Sequence, residues 1–293
     1  LGDPASRGVL PPEQPAMPQP HPELTLVRAT PAQLAIRWRL HHQAWGAGFE
    51  LPLYLQREAA LAEHEVIASG LTAWLLVQGD GEVVASCESH ASEAWTVDAD
   101  GHVRRESMET VASVLVEPRL RGCGYAMALM RALREQQRQA GLPLSALYSD
   151  VGPQLYRRSG YMLHPAVEST RPVAAASTHP AHVDLVGIGE VGELLAQDAR
   201  ELAAWLGGSS APAFAEVPRV DRVLWFSLRS QYRAWARGQA PPQAVGARAG
   251  EDGWCLWSSD AVEPVLHVLL WRPHGVRGAQ RLTDACLAHA AQL

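Results

Sequence analysis

TVASVLVEPRLRGCGYAMALMRALREQQRQAGLPLSALYSDVGPQLYRRSGY, residues 110–161, is the stretch on which the reading of the chain turns. Val111 to Val116 is a short, β-branched, apolar run, which predicts a strand. Pro118 ends it, because proline has no N–H to give to a sheet ladder. Arg121-Gly122-Cys123-Gly124-Tyr125-Ala126 then predicts a turn. Glycine, lacking a Cβ, lets the main chain approach a bound group closely. A helix is expected from about Tyr125. Ala126, Leu129, Met130 and Leu133 fall at i, i+3, i+4 and i+7, one helical face, and Gly141 stands where a helix commonly stops. A strand, a glycine turn and a helix in succession leave free N–H groups at the helix start, where the dipole favours an anion. The expected ligand is a phosphate or pyrophosphate. Neither the Gly-Lys-Ser/Thr of a P-loop nor the Gly-x-Gly-x-x-Gly of a dinucleotide fold is present here.

Arg-x-x-Gly-x-Ala, here Arg121, Gly124 and Ala126, resembles instead the acetyl-CoA loop of the GCN5-related N-acetyltransferases (GNAT superfamily). Tyr156-Arg157-Arg158-Ser159-Gly160-Tyr161 resembles that family's Tyr-x-x-x-Gly-Phe/Tyr, which carries its general acid. The resemblance implies an α/β fold with a mixed sheet and an acetyl-CoA-dependent N-acetyltransferase. It implies that Arg121 and the amides of Gly122, Cys123, Gly124, Tyr125 and Ala126 hold the pyrophosphate. It also implies that the strands at 111–116 and 144–150 splay apart, so that the backbone of Leu115 and Val116 meets the acetyl end. The Val116 N–H would polarise the carbonyl, and Tyr156 would protonate the leaving thiolate.

Two further runs narrow the resemblance. Leu147-Tyr148-Ser149-Asp150-Val151-Gly152-Pro153-Gln154-Leu155-Tyr156 and Cys87-Glu88-Ser89 look like segments of the fungal lysine N-acetyltransferases, as does Trp254-Cys255-Leu256-Trp257 in the second half. The implied substrate is the side-chain amine of free lysine or a related small amine; a protein amine, or a non-catalytic acetyl-CoA-binding module, is the alternative. An alkyl ammonium with a pKa of about 10.4 must lose a proton before it attacks. Glu88 is the candidate base, with His90 beside it as a second base or a substrate contact. Asp150 replaces the family's usual asparagine region and is a candidate for the substrate ammonium.

The chain of 293 residues is 47% hydrophobic, enough for one large or two ordinary cores. A net charge of −6 argues against a nucleic-acid binder. Cys87, Cys123, Cys255 and Cys286 have no paired spacing, so neither a metal site nor a disulfide framework is expected. Reduced thiols suggest a cytoplasmic setting. No apolar run reaches membrane-spanning length, and the N-terminus has no apolar signal region; starting at Leu1, it reads as trimmed or partial.

In chain order, residues 1–22 form a proline-rich leader and residues 23–180 an acetyltransferase domain. Residues 181–293 form a smaller α/β domain expected to cover the substrate cleft. Strands are expected at 24–28, 71–78, 82–88, 111–116 and 144–150, with the sheet continuing through 89–109 and a last strand starting at Tyr161. Helices are expected at 31–45, 51–64, 125–140 and 152–159. After a linker at 165–182 come helices at 190–206 and 220–237, strands at 243–249, 253–258 and 264–271, and a closing helix.

Overall fold

A computed structural model of the chain describes residues 23–79, 81–149, 151–164, 168–173, 183–209 and 211–293. The leader, Asp150 and most of the linker lie outside the described residues. The first half comprises β1 (Leu24–Arg28), α1 (Pro31–Trp45), α2 (Leu51–Glu63), α3 (Glu65–Ala68), β2 (Leu71–Gln78), β3 (Val83–Val97), β4 (Val103–Val116), α4 (Tyr125–Gln139), β5 (Leu144–Leu147) and α5 (Gln154–Arg158). The second comprises β6 (Asp184–Val186), α6 (Val191–Leu206), β7 (Ala213–Glu216), α7 (Val220–Ala236), β8 (Gly246–Arg248), β9 (Gly253–Asp260), β10 (Val265–Pro273) and α8 (Gly275–Ala290).

Local chemistry fixes the element ends. Thr30 starts α1 with a capping box: its side chain accepts from the Gln33 N–H while the Gln33 side chain accepts from the Thr30 N–H, and Pro31 follows. In α4 the expected face is the buried one. Leu129, Met130 and Leu133 are fully buried, with Tyr125, against Trp74, Leu76, Val84, Ala85, Cys87 and Val111 of the sheet.

The first sheet runs β1-β2-β3-β4-β5. β4 and β5 are parallel, and they pair only from Met108↔Leu144 to Val111↔Leu147. β4 then runs on to Val116 beside β3, past the end of β5 at Leu147. Just past the last pair β4 carries a bulge. Ser86 faces Leu115 and Glu88 faces Ala112, which leaves Cys87 opposite both Ser113 and Val114. Ser113 sits at φ 55°, the left-handed region that serine rarely enters.

The structure corrects several boundaries. β5 stops at Leu147 rather than 150, and residues 161–164 form no strand. β3 runs unbroken to Val97, so Glu88 lies in mid-strand rather than at a strand end.

β7 was not expected. It comes from the second half yet pairs with β3, Ala94↔Glu216 through Val97↔Ala213. It occupies the flank of β3 that β2 vacates after Leu71↔His90. The second sheet, β10-β9-β8-β6, is covered on both faces. Trp254 and Leu256 of β9 meet α6 and α7, while Cys255 and Trp257 meet Leu282 and Ala285 of α8. A strand buried on both sides reads as a continuous apolar run, as Trp254-Cys255-Leu256-Trp257 does. Among the described residues, no helix is long and apolar enough to cross a membrane.

Leu129→Ala removes a fully buried side chain between α4 and the sheet. It is expected to cost roughly 2–5 kcal/mol, read as a lower urea midpoint with an unchanged slope.

Candidate active site

The glycine turn is open. Residues 121–124 are exposed, and Gly122 and Gly124 have φ of 80° and 89°, conformations that suit glycine. Among the described residues, a Cβ built on Gly122 would meet nothing within 4 Å. Gly124 is the N-cap of α4, and among the described residues no side chain caps that helix start. The Cys123 N–H donates to Leu120 O at 3.4 Å within the turn. An exposed helix start beside the exposed Arg121 is an arrangement suited to an anionic group. The exposed Cys123 thiol, 3.8 Å from the Arg121 carbonyl oxygen, lies across the same turn.

The end of β4 adds a donor. The Glu117 N–H donates to Val84 O of β3 at 3.1 Å. Successive strand N–H groups alternate in direction, so that of Val116 turns away from β3 and into the gap left by β5. Leu115, one residue earlier, is buried. Tyr156 of α5 is buried in the same core as Val111 and Cys87, its ring edge-on to Tyr161 at 6.2 Å. Tyr161 OH lies 3.1 Å from Ser145 Oγ of β5, and Arg134 of α4 donates to Ser159 O, which ties α5 to the elements around it.

On the face of β3 opposite α4 runs a buried polar row: Ser86, Glu88, His90 and Ser92. Alternation places all four on one side. Glu88 Oε1 accepts from Arg37 Nη1 at 2.8 Å, and its Oε2 accepts from Ser113 Oγ of the bulge at 2.8 Å. His41 Nε2 lies 3.0 Å from Ser86 Oγ. Arg37 and His41 are the buried residues of α1, spaced i and i+4 on one face. From the second half, Trp225 of α7 stands edge-on to His90 at 6.5 Å. Arg222 donates to Ser92 Oγ at 3.0 Å and contacts Thr110 Oγ1, while Ser92 donates to Glu216 of β7 at 2.9 Å.

This setting fixes the charges. Burial works against the Glu88 carboxylate, but Arg37, His90, His41 and the Ser113 hydroxyl outweigh it and bring its pKa down to about 2. Burial, then Arg222, lowers His90 to about 4 against the pull of Glu88 and Asp221. Burial, then Arg37, lowers His41 to about 3. At neutral pH the row therefore holds one fixed carboxylate, Glu88, and one neutral imidazole, His90, with the neutral imidazole of His41 packed against it from α1. Glu88, the expected base, is committed to Arg37 and Ser113, and a carboxyl so far below neutrality holds a proton poorly. Neutral His90 is the stronger acceptor of the two.

Sequence reasoning missed Arg37, His41, Arg222 and Trp225. The signal that could have found the first two is their shared helical face, read together with the period-two polar row of β3. Asp150 lies outside the described residues, next to the exposed Tyr148 and Ser149.

Residues 39–164 match the family model of an acetyltransferase (GNAT) domain, and residues 168–292 that of the LYC1 GNAT-like C-terminal domain. A lysine acetyltransferase of Yarrowia lipolytica is 29% identical over 111 residues, 38% of this chain and 27% of that protein. The crystal structure of a GCN5-related N-acetyltransferase from Kribbella flavida superposes with a TM-score of 0.51 at 20% identity, over 92% of this chain and 62% of that one. The chain thus spans about a quarter of the curated relative and under two thirds of the solved structure. From the mixed sheet and these matches, the chain has a mixed α/β GNAT-like fold, followed by a smaller α/β domain.

Proposed function

We propose that this protein is an acetyl-CoA-dependent N-acetyltransferase whose acceptor is the side-chain amine of free lysine or a closely related small amine. The observation that carries the reading is that β4 runs on to Val116, past the end of β5 at the Val111↔Leu147 pair, beside the exposed turn at residues 121–124 that opens α4. The lysine acceptor draws support from the name of the Yarrowia relative and from the match of the second half to the LYC1-like domain. A small acceptor is also favoured by α7, whose Trp225 and Arg222 close over the His90–Ser92 end of the polar row.

Acetyl-CoA supplies the acyl group as a thioester. Arg121 and the amides of residues 122–126 would hold its pyrophosphate. The Val116 N–H, with Leu115 beside it, would stabilise the negative charge that develops on the carbonyl oxygen. Removing a proton from an alkyl ammonium at neutral pH costs roughly 4–5 kcal/mol. The fixed charge of Glu88 would draw the ammonium in, helped by Asp150, and His90 would take its proton as the nitrogen attacks. Tyr156 would give a proton to the departing sulfur.

A panel of small amines with acetyl-CoA and thiol detection is expected to show turnover with lysine; silence across the panel sinks the reading. Tyr156→Phe is expected to lower turnover by roughly 10²-fold with acetyl-CoA affinity little changed. Unaltered turnover removes Tyr156 as the acid. Gly124→Glu sets a side chain and a negative charge against the phosphates and is expected to abolish acetyl-CoA binding; calorimetry showing full affinity rejects the loop assignment.

The histidines set a pH dependence of stability. His90 and His41 have folded pKa values below the ordinary 6.5, so on acidification the unfolded chain takes up protons first. Their stabilisation is complete above about pH 6.5 and is lost as pH falls toward 4 and 3. The Glu88 share is lost later, between the ordinary carboxyl value of 4.5 and about 2. From pH 7 to 5 each histidine is expected to cost about 2 kcal/mol. Urea titrations of His90→Gln should show a shallower decline than the parent; identical slopes in pH would contradict the buried, neutral state.

A further inference from the structure

α2 and α7 bring three guanidinium groups together, one indole away from the polar row. Arg57 of α2 is fully buried, with its charge over the rings of Tyr54 at 4.3 Å and Phe49 at 4.8 Å. It donates twice to Glu58 Oε1, from Nε at 2.9 Å and from Nη2 at 2.5 Å, yet among the described residues its Nη1 has no partner. Arg233 of α7 meets Asp260, and its buried Nε likewise has no partner among the described residues. Arg229, between them on α7, stacks over Trp225 at 4.3 Å. Its nearest carboxylate oxygen, Glu58 Oε1, is 3.8 Å away, beyond hydrogen-bond range.

Among the described residues, two carboxylates, Glu58 and Asp260, therefore face three buried or half-buried cations. Glu263 acts on Arg233 only from an exposed position. Asp260 is further engaged by the N–H groups of Val262 and Glu263. Burial, then the neighbouring Arg57, lowers the Arg229 pKa to about 10, as expected of a cation short of counter-charge. Buried donors and charges left unpaired in a folded protein are costly, so such a set points to an anionic group that completes it. The side chain of Arg229 is 19% exposed, so a ligand can reach it. Trp225 connects the two regions: one ring carries Arg229 on its face and stands edge-on to His90.

We propose that Arg229, with Arg57 and Arg233 behind it, is the subsite for the substrate's carboxylate. Arg229 is then a specificity-determining residue. The acceptor class is an amine that carries a carboxylate a short aliphatic chain away, as a free amino acid does, rather than a diamine or a lysine within a protein. This assignment rests on the acetyltransferase reading above. The carboxylate would accept from the open Arg229 donors, with its aliphatic stem along the indole and its amine at His90 and Glu88.

The test compares L-lysine with cadaverine, which is lysine without the carboxylate, and with lysine methyl ester, in the full chain and in Arg229→Gln. The parent is expected to favour lysine over both by about 10- to 100-fold in kcat/KM, the size of one charged hydrogen-bonded contact. Arg229→Gln is expected to collapse that ratio toward one, mainly through KM for lysine. A parent that takes cadaverine as well as lysine overturns the subsite, as does a variant in which the ratio is preserved. If Arg229→Gln does not fold, the parent's own lysine-to-cadaverine ratio and Arg229→Lys decide the question. If no amine is turned over, the activity reading falls by itself; calorimetry of lysine against cadaverine then decides the subsite. Lysine binding lost in the variant upholds it, and equal or absent binding of the two overturns it. A drop in CoA affinity in Arg229→Gln would assign the cluster to a cofactor phosphate and overturn it as well.

Discussion

The Glu88 carboxylate holds two elements at once, Arg37 of α1 through one oxygen and Ser113 of the β4 bulge through the other. A non-glycine residue in a left-handed conformation costs of order 1–3 kcal/mol. A hydrogen bond to a charged acceptor contributes about 1.5–3 kcal/mol, enough to keep Ser113 where it is. The bulge in turn bends β4 just after its last pairing with β5. The gap between the parallel strands, the direction of the Val116 N–H and the charge at the centre of the polar row thus depend on one buried ion pair. Arg37 is needed because a carboxylate taken out of water without a partner would protonate and lose its hold on the serine hydroxyl.

The rest of the row follows from the same electrostatics. Burial, with Arg37 beside His41 on α1 and Arg222 beside His90 on β3, disfavours charge on both imidazoles, so they stay neutral and able to accept a proton. α1 covers one end of the row and α7 the other. The first half provides the strands and the second half provides the aromatic and cationic wall. The aromatic packing of Phe49 and Tyr54 against Tyr232 holds that wall to α2.

Much of this was legible because it is local. The strand, glycine turn and helix at 110–140 are set by neighbours within a few residues. The buried β9 declared itself through four consecutive apolar residues. Other features depend on distant partners. Nothing in Val-Ala-Ser-Val-Leu-Val marks Ser113 as the bulged residue, since the irregularity exists only relative to β3. Nothing in the helix at 31–45 marks Arg37 as buried, since the carboxylate that claims it lies 51 residues away. The sequence places Glu88 at a strand end, where a carboxylate is a candidate base; in the structure the strand continues to Val97, and burial changes the chemistry of the group. Ala-Phe-Ala-Glu, the whole of β7, is too short to show alternation, and its partner lies over a hundred residues earlier.

That short strand has a consequence for how the chain can be divided. β7 is chemically part of the first sheet although it arrives from the second half, and it saturates the main-chain groups of residues 94–97. An N-terminal fragment ending near residue 164 would keep its glycine turn and its tyrosine but bare a hydrogen-bonding edge in the middle of its longest strand. Such an edge recruits whatever extended segment is at hand, including the same stretch of a sister molecule. Severing the halves would therefore trade a sheet with that edge covered for one prone to stick to its own kind.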